Sequence, residues 1–153
     1  AKNPDAKVWI VGQHIPQEIL SFKSENVLID DLREEDQEGI RNAYYESSVF
    51  VSPLKGPGGT RLKHLAAMAA KLPLVTTSVG AEGLAATDGK DIIVRNSAEE
   101  IAEATVELLK DAGLAQRIAK NARNLVEEKF SWYKMGEYLE DLYEKTGTID
   151  NNS

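Results

Sequence analysis

Five short apolar runs, KVWIVG (residues 7–12), NVLID (26–30), VFVSP (49–53), LVTT (74–77) and DIIVR (91–95), alternate with segments of helical periodicity. That alternation constrains the fold more than any other feature. Parallel strands need a crossover of a dozen or more residues, usually a helix, and consecutive apolar positions suit strands covered on both faces. The expected class is α/β, a doubly wound and mainly parallel sheet with helices on both faces. A chain of 153 residues with 42% hydrophobic content builds one such core, and no internal repeat, low-complexity tract or linker divides it.

The connecting segments carry their own signals. PQEILSFK predicts a short helix opened by Pro16, and EEDQEGIRNAYYESS one in which Ile40, Ala43 and Tyr44 share a face, with Gly39 weakening its early turns. After KGPGG a helix is expected from near Thr60, with Leu62, Leu65, Ala66 and Ala69 on its inward stripe and Pro73 ending it. Ser97 with Glu100 makes a capping-box signature for a helix turning Ile101, Ala104, Thr105, Leu108 and Leu109 inward. Gly113 reads as punctuation before a helix from about Leu114 to Lys129. Ser131 then caps a last helix that buries Trp132, Met135, Leu139 and Leu142, and the Trp132, Tyr133, Tyr138 and Tyr143 cluster reads as packing. The domain is expected over residues 1–145, with 146–153 a frayed polar tail.

A net charge of −7 argues against nucleic-acid partners, which need an extended basic face. The charge is unevenly placed. From Ser47 to Ala81 there is no Asp or Glu, while Lys55, Arg61, Lys63 and Lys71 all fall there, so a small anion meets a favourable local potential. With no cysteine and only His14 and His64, neither a disulfide framework nor a metal centre is expected. The absence of a long apolar run or a signal-peptide pattern leads to the expectation of a soluble, cytoplasmic protein.

In a doubly wound sheet, ligands sit beyond the carboxyl ends of the strands. Two loops fall on that edge. In KGPGG, glycines 56, 58 and 59 permit close backbone approach, the following helix offers free N–H groups, and Arg61 and Lys63 add charge. This suits a phosphate or diphosphate; the other reading is a tight strand-to-helix connection. Neither a Walker A loop nor G-x-G-x-x-G is present. In TTSVGAEGL (76–84), Gly80 and Gly83 offer further backbone donors. Glu82 either accepts hydrogen bonds from sugar hydroxyls or is an exposed loop acid. His64 has no acid or nucleophile beside it in sequence and reads as a surface or packing residue rather than a general base. No serine lies in a G-x-S-x-G elbow, so a serine hydrolase has no support.

Three blocks, PDAKVWIVG, NAYYESSVFVSPLKGPGGTRLKHLAAMAAKLPLVTTSVGAEGL and AKNARNLVEEKFSWYKMGEYLEDLYEK, together resemble the C-terminal, donor-binding domain of GT-B glycosyltransferases, of the group-one, mannosyltransferase-like branch. The resemblance spans nearly the whole chain and is most specific in the middle block. It implies a Rossmann-like half of a GT-B architecture and a glycosyltransferase that binds a nucleotide-diphosphate sugar as substrate, with no cofactor and no metal. It places Gly58 and Gly59 in the loop approaching the diphosphate, Thr60 at the start of the helix aimed at it with Arg61 and Lys63 beside it, and Gly80, Ala81 and Glu82 where members contact sugar or phosphate. The catalytic groups are not assigned, because the acceptor site belongs to an N-terminal domain of the same polypeptide. This chain alone is expected to be inactive, and the full-length protein cytoplasmic or membrane-peripheral.

Two departures accompany the resemblance. Many members carry two glutamates eight positions apart, the second binding the ribose hydroxyls; these positions read Gly58 and Ala66 here, and a helix-ending glycine is replaced by Lys71. Ala66 is thus a degenerate ribose-binding position. The family also implies a strand and helix ahead of PDAKVWIVG, the strand lying centrally between KVWIV and VFVSP. The domain is therefore read as lacking its first strand and helix, with self-association one way to complete the sheet. The alternative function is a non-catalytic, Rossmann-like interaction or regulatory module with a degenerate donor site.

Overall fold

The structure, a computed structural model, describes residues 3, 5–33, 35–56 and 61–131. Its elements run β1 (Val8–Gly12), α1 (Gln17–Leu20), β2 (Val27–Asp31), α2 (Gln37–Glu46), β3 (Phe50–Ser52), α3 (Leu62–Ala69), β4 (Leu74–Thr76), α4 (Ser78–Ala81), β5 (Ile93–Val94), α5 (Ala98–Lys110) and α6 (Ala112–Lys129). Every strand foreseen in the sequence is present. α4 is additional, in a stretch read as loop. The helix expected after Ser131 lies outside the described residues, as do Trp132, Tyr133, Met135, Tyr138, Leu139, Leu142 and Tyr143.

All ladders between these strands are parallel. Val8 pairs with Val27 across β1 and β2, Phe50 with Leu74 across β3 and β4, and Val75 with Ile93 across β4 and β5. Among the described residues the strands form two groups, β1–β2 and β3–β4–β5, with no ladder joining them.

The core is organised around β4, whose three residues are all buried. Successive strand side chains point to opposite sides. Val75 packs with Ile93, with Ile101, Ala104 and Leu108 of α5, and with Ile118 of α6. Leu74 packs with Met68 of α3, with Leu84 and Ile92, and with Ala122 of α6. Helices therefore cover β4 on both sides, as a strand apolar at consecutive positions requires. Each fully buried Leu or Ile here contributes about 1.5–3 kcal/mol by leaving water.

Helix ends follow from side-chain chemistry. α5 begins with the expected capping box: Ser97 Oγ accepts from the Glu100 N–H, and the Glu100 carboxylate accepts from the Ser97 N–H. The bonds that this carboxylate accepts from the Ser97 N–H, the Ser97 hydroxyl and the Asn96 N–H lower the Glu100 pKa below its ordinary value. The break before α6 falls at Asp111 rather than Gly113. Asp111 ends α5 and caps α6, accepting from the Leu114 N–H at 2.9 Å, so Gly113 lies in the first turn of α6.

The inward face of α3 also differs from the expected stripe. His64, Ala67 and Met68 are buried, whereas Leu62 is 67% exposed and Ala66 faces solvent. An apolar-stripe argument excludes a histidine from the inner face; here both ring nitrogens have partners, which removes the objection.

At its other end α3 closes in a Schellman turn. Leu72 N–H donates to the Ala67 carbonyl and Lys71 N–H to that of Met68, and the Arg123 guanidinium of α6 donates to the Ala69 carbonyl. The turn places Lys71 at φ 58°, the left-handed region where a Cβ is strained. Lys71→Gly is expected to raise stability by roughly 0.5–1 kcal/mol, read as a higher urea midpoint at unchanged slope.

Candidate functional site

The carboxyl ends of β3 and β4 carry the two loops singled out in the sequence. Gly58, Gly59 and Thr60 lie outside the described residues. The chain is described again from Arg61, the N-cap of α3, so that helix begins at Leu62. After β4, Thr77 caps α4: its Oγ1 accepts from the Gly80 N–H at 3.1 Å and donates to the Leu54 carbonyl at 2.6 Å. The Ala81 N–H donates to the Thr77 carbonyl at 3.0 Å. The N–H groups of Gly80 and Ala81 are thus used inside the turn, and the Glu82 side chain that follows is 67% exposed.

α3 grips this turn from the side. Arg61 Nη2 donates to the Val79 carbonyl at 2.6 Å and lies 3.9 Å from Glu82 Oε2. Its side chain is only 11% exposed, so Arg61 is a positioned cation rather than a waving one. The exposed Glu82 partner makes the ion pair worth at most about 1 kcal/mol. Lys63, in the first turn of α3, is exposed, and its backbone carbonyl accepts from the Tyr44 hydroxyl at 3.4 Å. Lys55 is exposed near the end of β3. Lys71 sits beyond the opposite end of α3, about 12 Å away for a helix of this length. The acid-free segment therefore supplies its cations to two different places.

His64 was read as a surface or packing residue; the structure buries it completely. Its Nδ1 lies 3.0 Å from the Gly80 carbonyl and its Nε2 2.7 Å from Ser52 Oγ. Thr76 Oγ1 donates to the Ser52 carbonyl at 2.8 Å. Phe50 meets the ring edge-on, with centroids 6.2 Å apart, and stacks on Tyr44. This polar knot joins β3, α3, β4 and α4. Ser52, His64, Thr76 and Thr77 carried no recognised signal in the sequence, although Arg61 and His64 stand one helical turn apart, and Thr77 precedes the turn it caps.

Gly80 is a glycine for want of space. A Cβ there would lie 2.0 Å from Thr76 Oγ1 and 3.3 Å from His64 Cε1. Gly80→Ala is expected to cost about 1–3 kcal/mol by overpacking, measured as a drop in Tm with the far-ultraviolet circular dichroism retained.

Burial lowers the His64 pKa below its ordinary value of 6.5, with Arg61 and Lys63 adding to the effect and the bond to Gly80 opposing it. The sign follows from linkage: between the folded value and 6.5 the unfolded chain binds the extra proton. The stability from burying neutral His64 is thus full above about pH 6.5 and declines as pH falls below it. Denaturation midpoints should drop from pH 7.5 to pH 5.5, and His64→Asn should remove that part of the drop.

A parallel sheet with helices on both sides, with the start of α3 tied through Arg61 to the turn beyond β4, is a Rossmann-like α/β domain. The chain belongs to the family of group 1 glycosyl transferases, matching it over residues 1–111. It is 31% identical over 102 residues, 65% of this chain and 27% of the relative, to the capsular polysaccharide biosynthesis glycosyltransferase CapM of Staphylococcus aureus. The chain spans between 27% and 36% of the length of the curated relatives it matches. Among solved structures it is similar to the C-terminal domain of the group 1 glycosyl transferase LpcC from Francisella tularensis, with TM-score 0.65 and 24% identity, covering 71% of this chain and 56% of that one. It is also similar to Anabaena HepE, solved with UDP-glucose, with TM-score 0.75 and 16% identity, covering 94% of this chain and 42% of that one. Among the described residues no helix is long and apolar enough to cross a membrane.

Proposed function

We propose that this chain is the donor-binding half of a glycosyltransferase. It orients a nucleotide-diphosphate sugar for transfer to an acceptor held by an N-terminal domain of the same polypeptide. The observation that carries the reading is the pairing of the two strand-end loops: Arg61 binds the α4 turn and sits beside an exposed Glu82. A cation and a carboxylate held together in this way fit the adjoining diphosphate and sugar of such a donor. Arg61 and the exposed Lys63 face the diphosphate, where negative charge develops on the leaving group, and Glu82 accepts from sugar hydroxyls. Gly58, Gly59 and Thr60 supply backbone approach to the phosphates, and Gly80 and Ala81 shape the turn that presents Glu82. HepE, of similar fold, holds UDP-glucose, which supports a nucleotide sugar as ligand class.

Ala66 is the weak point of this site. Its exposed place on α3 means that a glutamate there would meet solvent and ligand, not core. Lys71 has no bearing on the donor, since it serves the far end of α3. Saturation-transfer NMR with UDP, GDP, ADP and dTDP, each competed with pyrophosphate, tests the reading; transfer to one nucleotide that pyrophosphate displaces is expected. Ala66→Glu should tighten that nucleotide by about tenfold or more, the worth of a charge-assisted bond to a ribose hydroxyl. No transfer to any nucleotide by either protein would overturn donor binding in favour of a non-catalytic interaction module.

The same reading includes completion of the sheet. β1 and β3 each carry a ladder on one edge only among the described residues, and Val51 of β3 is 40% exposed. A parallel strand from the longer polypeptide, set between them, would pair both edges. Amides on those edges should exchange roughly a hundredfold faster than those of β4 in this chain. They should slow to β4 rates in the longer polypeptide, with both proteins monomeric. A concentration-dependent dimer that protects the same amides would assign the place to a second copy instead.

A further inference from the structure

We infer that His64 is the positioning residue of the donor turn, a neutral imidazole in the Nδ1–H form that fixes the orientation of α4 against the end of β3. The inference rests on the donor-binding reading only for its consequence, not for its geometry. A backbone carbonyl can only accept, so the nitrogen 3.0 Å from the Gly80 oxygen carries the proton. The neutral ring then has a bare Nε2, which accepts from the Ser52 hydroxyl at 2.7 Å. Ser52 is itself held across the ladder by Thr76 Oγ1, so the ring is oriented by two strands at once.

The consequence appears in the α4 turn. The adjacent carbonyls of Val79 and Gly80 are taken by Arg61 and His64, residues one turn apart on one face of α3. With both carbonyls turned inward, the next residues, Ala81 and Glu82, leave the turn in a set direction. For packing alone an apolar side chain would serve beside Ala67 and Met68; a fully buried, doubly bonded histidine adds a defined geometry. Ring contact with Phe50 limits the ring's rotation. No substrate atom need touch His64. It acts through the backbone of the turn.

The test is made on the whole chain, labelled with nitrogen-15. Long-range proton–nitrogen spectra at pH 7 should show His64 protonated at Nδ1 alone. In His64→Leu, which keeps the site apolar and filled, amide exchange at Gly80 and Ala81 should rise about tenfold, the equivalent of one lost hydrogen bond. Leu108 in α5 should be unchanged. His64→Asn, whose amide nitrogen falls near the Nδ1 position, should restore most of the protection; His64→Gln, reaching toward Ser52, should not. Binding of UDP, GDP, ADP and dTDP is measured on the same set. An Nε2–H or doubly protonated ring in the native chain, unmoved turn amides in His64→Leu, or equal rescue by Asn and Gln would overturn the inference, and the first of these is read without any variant. Native-chain binding that His64→Leu leaves unchanged would overturn it too. The expected tautomer and exchange pattern with binding of none of the four nucleotides by the native chain would leave the positioning role standing and count against the donor reading.

Discussion

A strand buried on both faces and paired on both edges leaves its neighbours little freedom, and β4 is the only such strand among those described. Leu74 and Val75 divide the core between them, one side resting on α3 and the other on α5. The positions of those two helices are thereby set relative to each other, and α6 packs on both. Where β4 stops, its buried threonines pass from packing to hydrogen bonding within two residues. The edge at which a ligand would be met is thus built directly on the most constrained part of the molecule, as a preorganised site requires.

The sequence was legible wherever one local signal decided the outcome. Consecutive apolar residues located all five strands, and Ser97 with Glu100 located the start of α5 to the residue. It misled where two signals competed. Gly113 looked like a break, but the carboxylate of Asp111 satisfies the free N–H groups of the next helix and ends the previous one. The stripe drawn through Leu62 and Ala66 followed hydrophobicity alone, whereas the inner face of α3 includes a histidine made acceptable by partners on β3 and α4. Those partners are 12 and 16 residues away in sequence. No pattern confined to the helix could have shown them.

The candidate site was legible as a place more than as a set of roles. Arg61 and Glu82, one from each flanking stretch, come within 3.9 Å of each other beyond β4, while Gly58, Gly59 and Thr60 lie outside the described residues. The four cations of the acid-free segment take separate places: Arg61 is tied to the turn, Lys63 and Lys55 are exposed, and Lys71 completes the end of a helix. Glycine as a source of backbone donors was likewise half the account for position 80. The residue matters for the volume it does not occupy, and its N–H already has an acceptor.

That missing volume reaches across the chain. The hydroxyl of Thr76 stands where a methyl group on residue 80 would have to go, and the same hydroxyl holds Ser52 in place for the imidazole. Positions 76 and 80 are therefore one steric unit read from two points in the sequence. A relative with a larger residue at the second position must move or lose the hydroxyl at the first, and with it the bond that orients Ser52. Among related chains the histidine, the threonine and the glycine should then be kept or replaced together, so that this corner of the fold changes in one step and not by gradual drift.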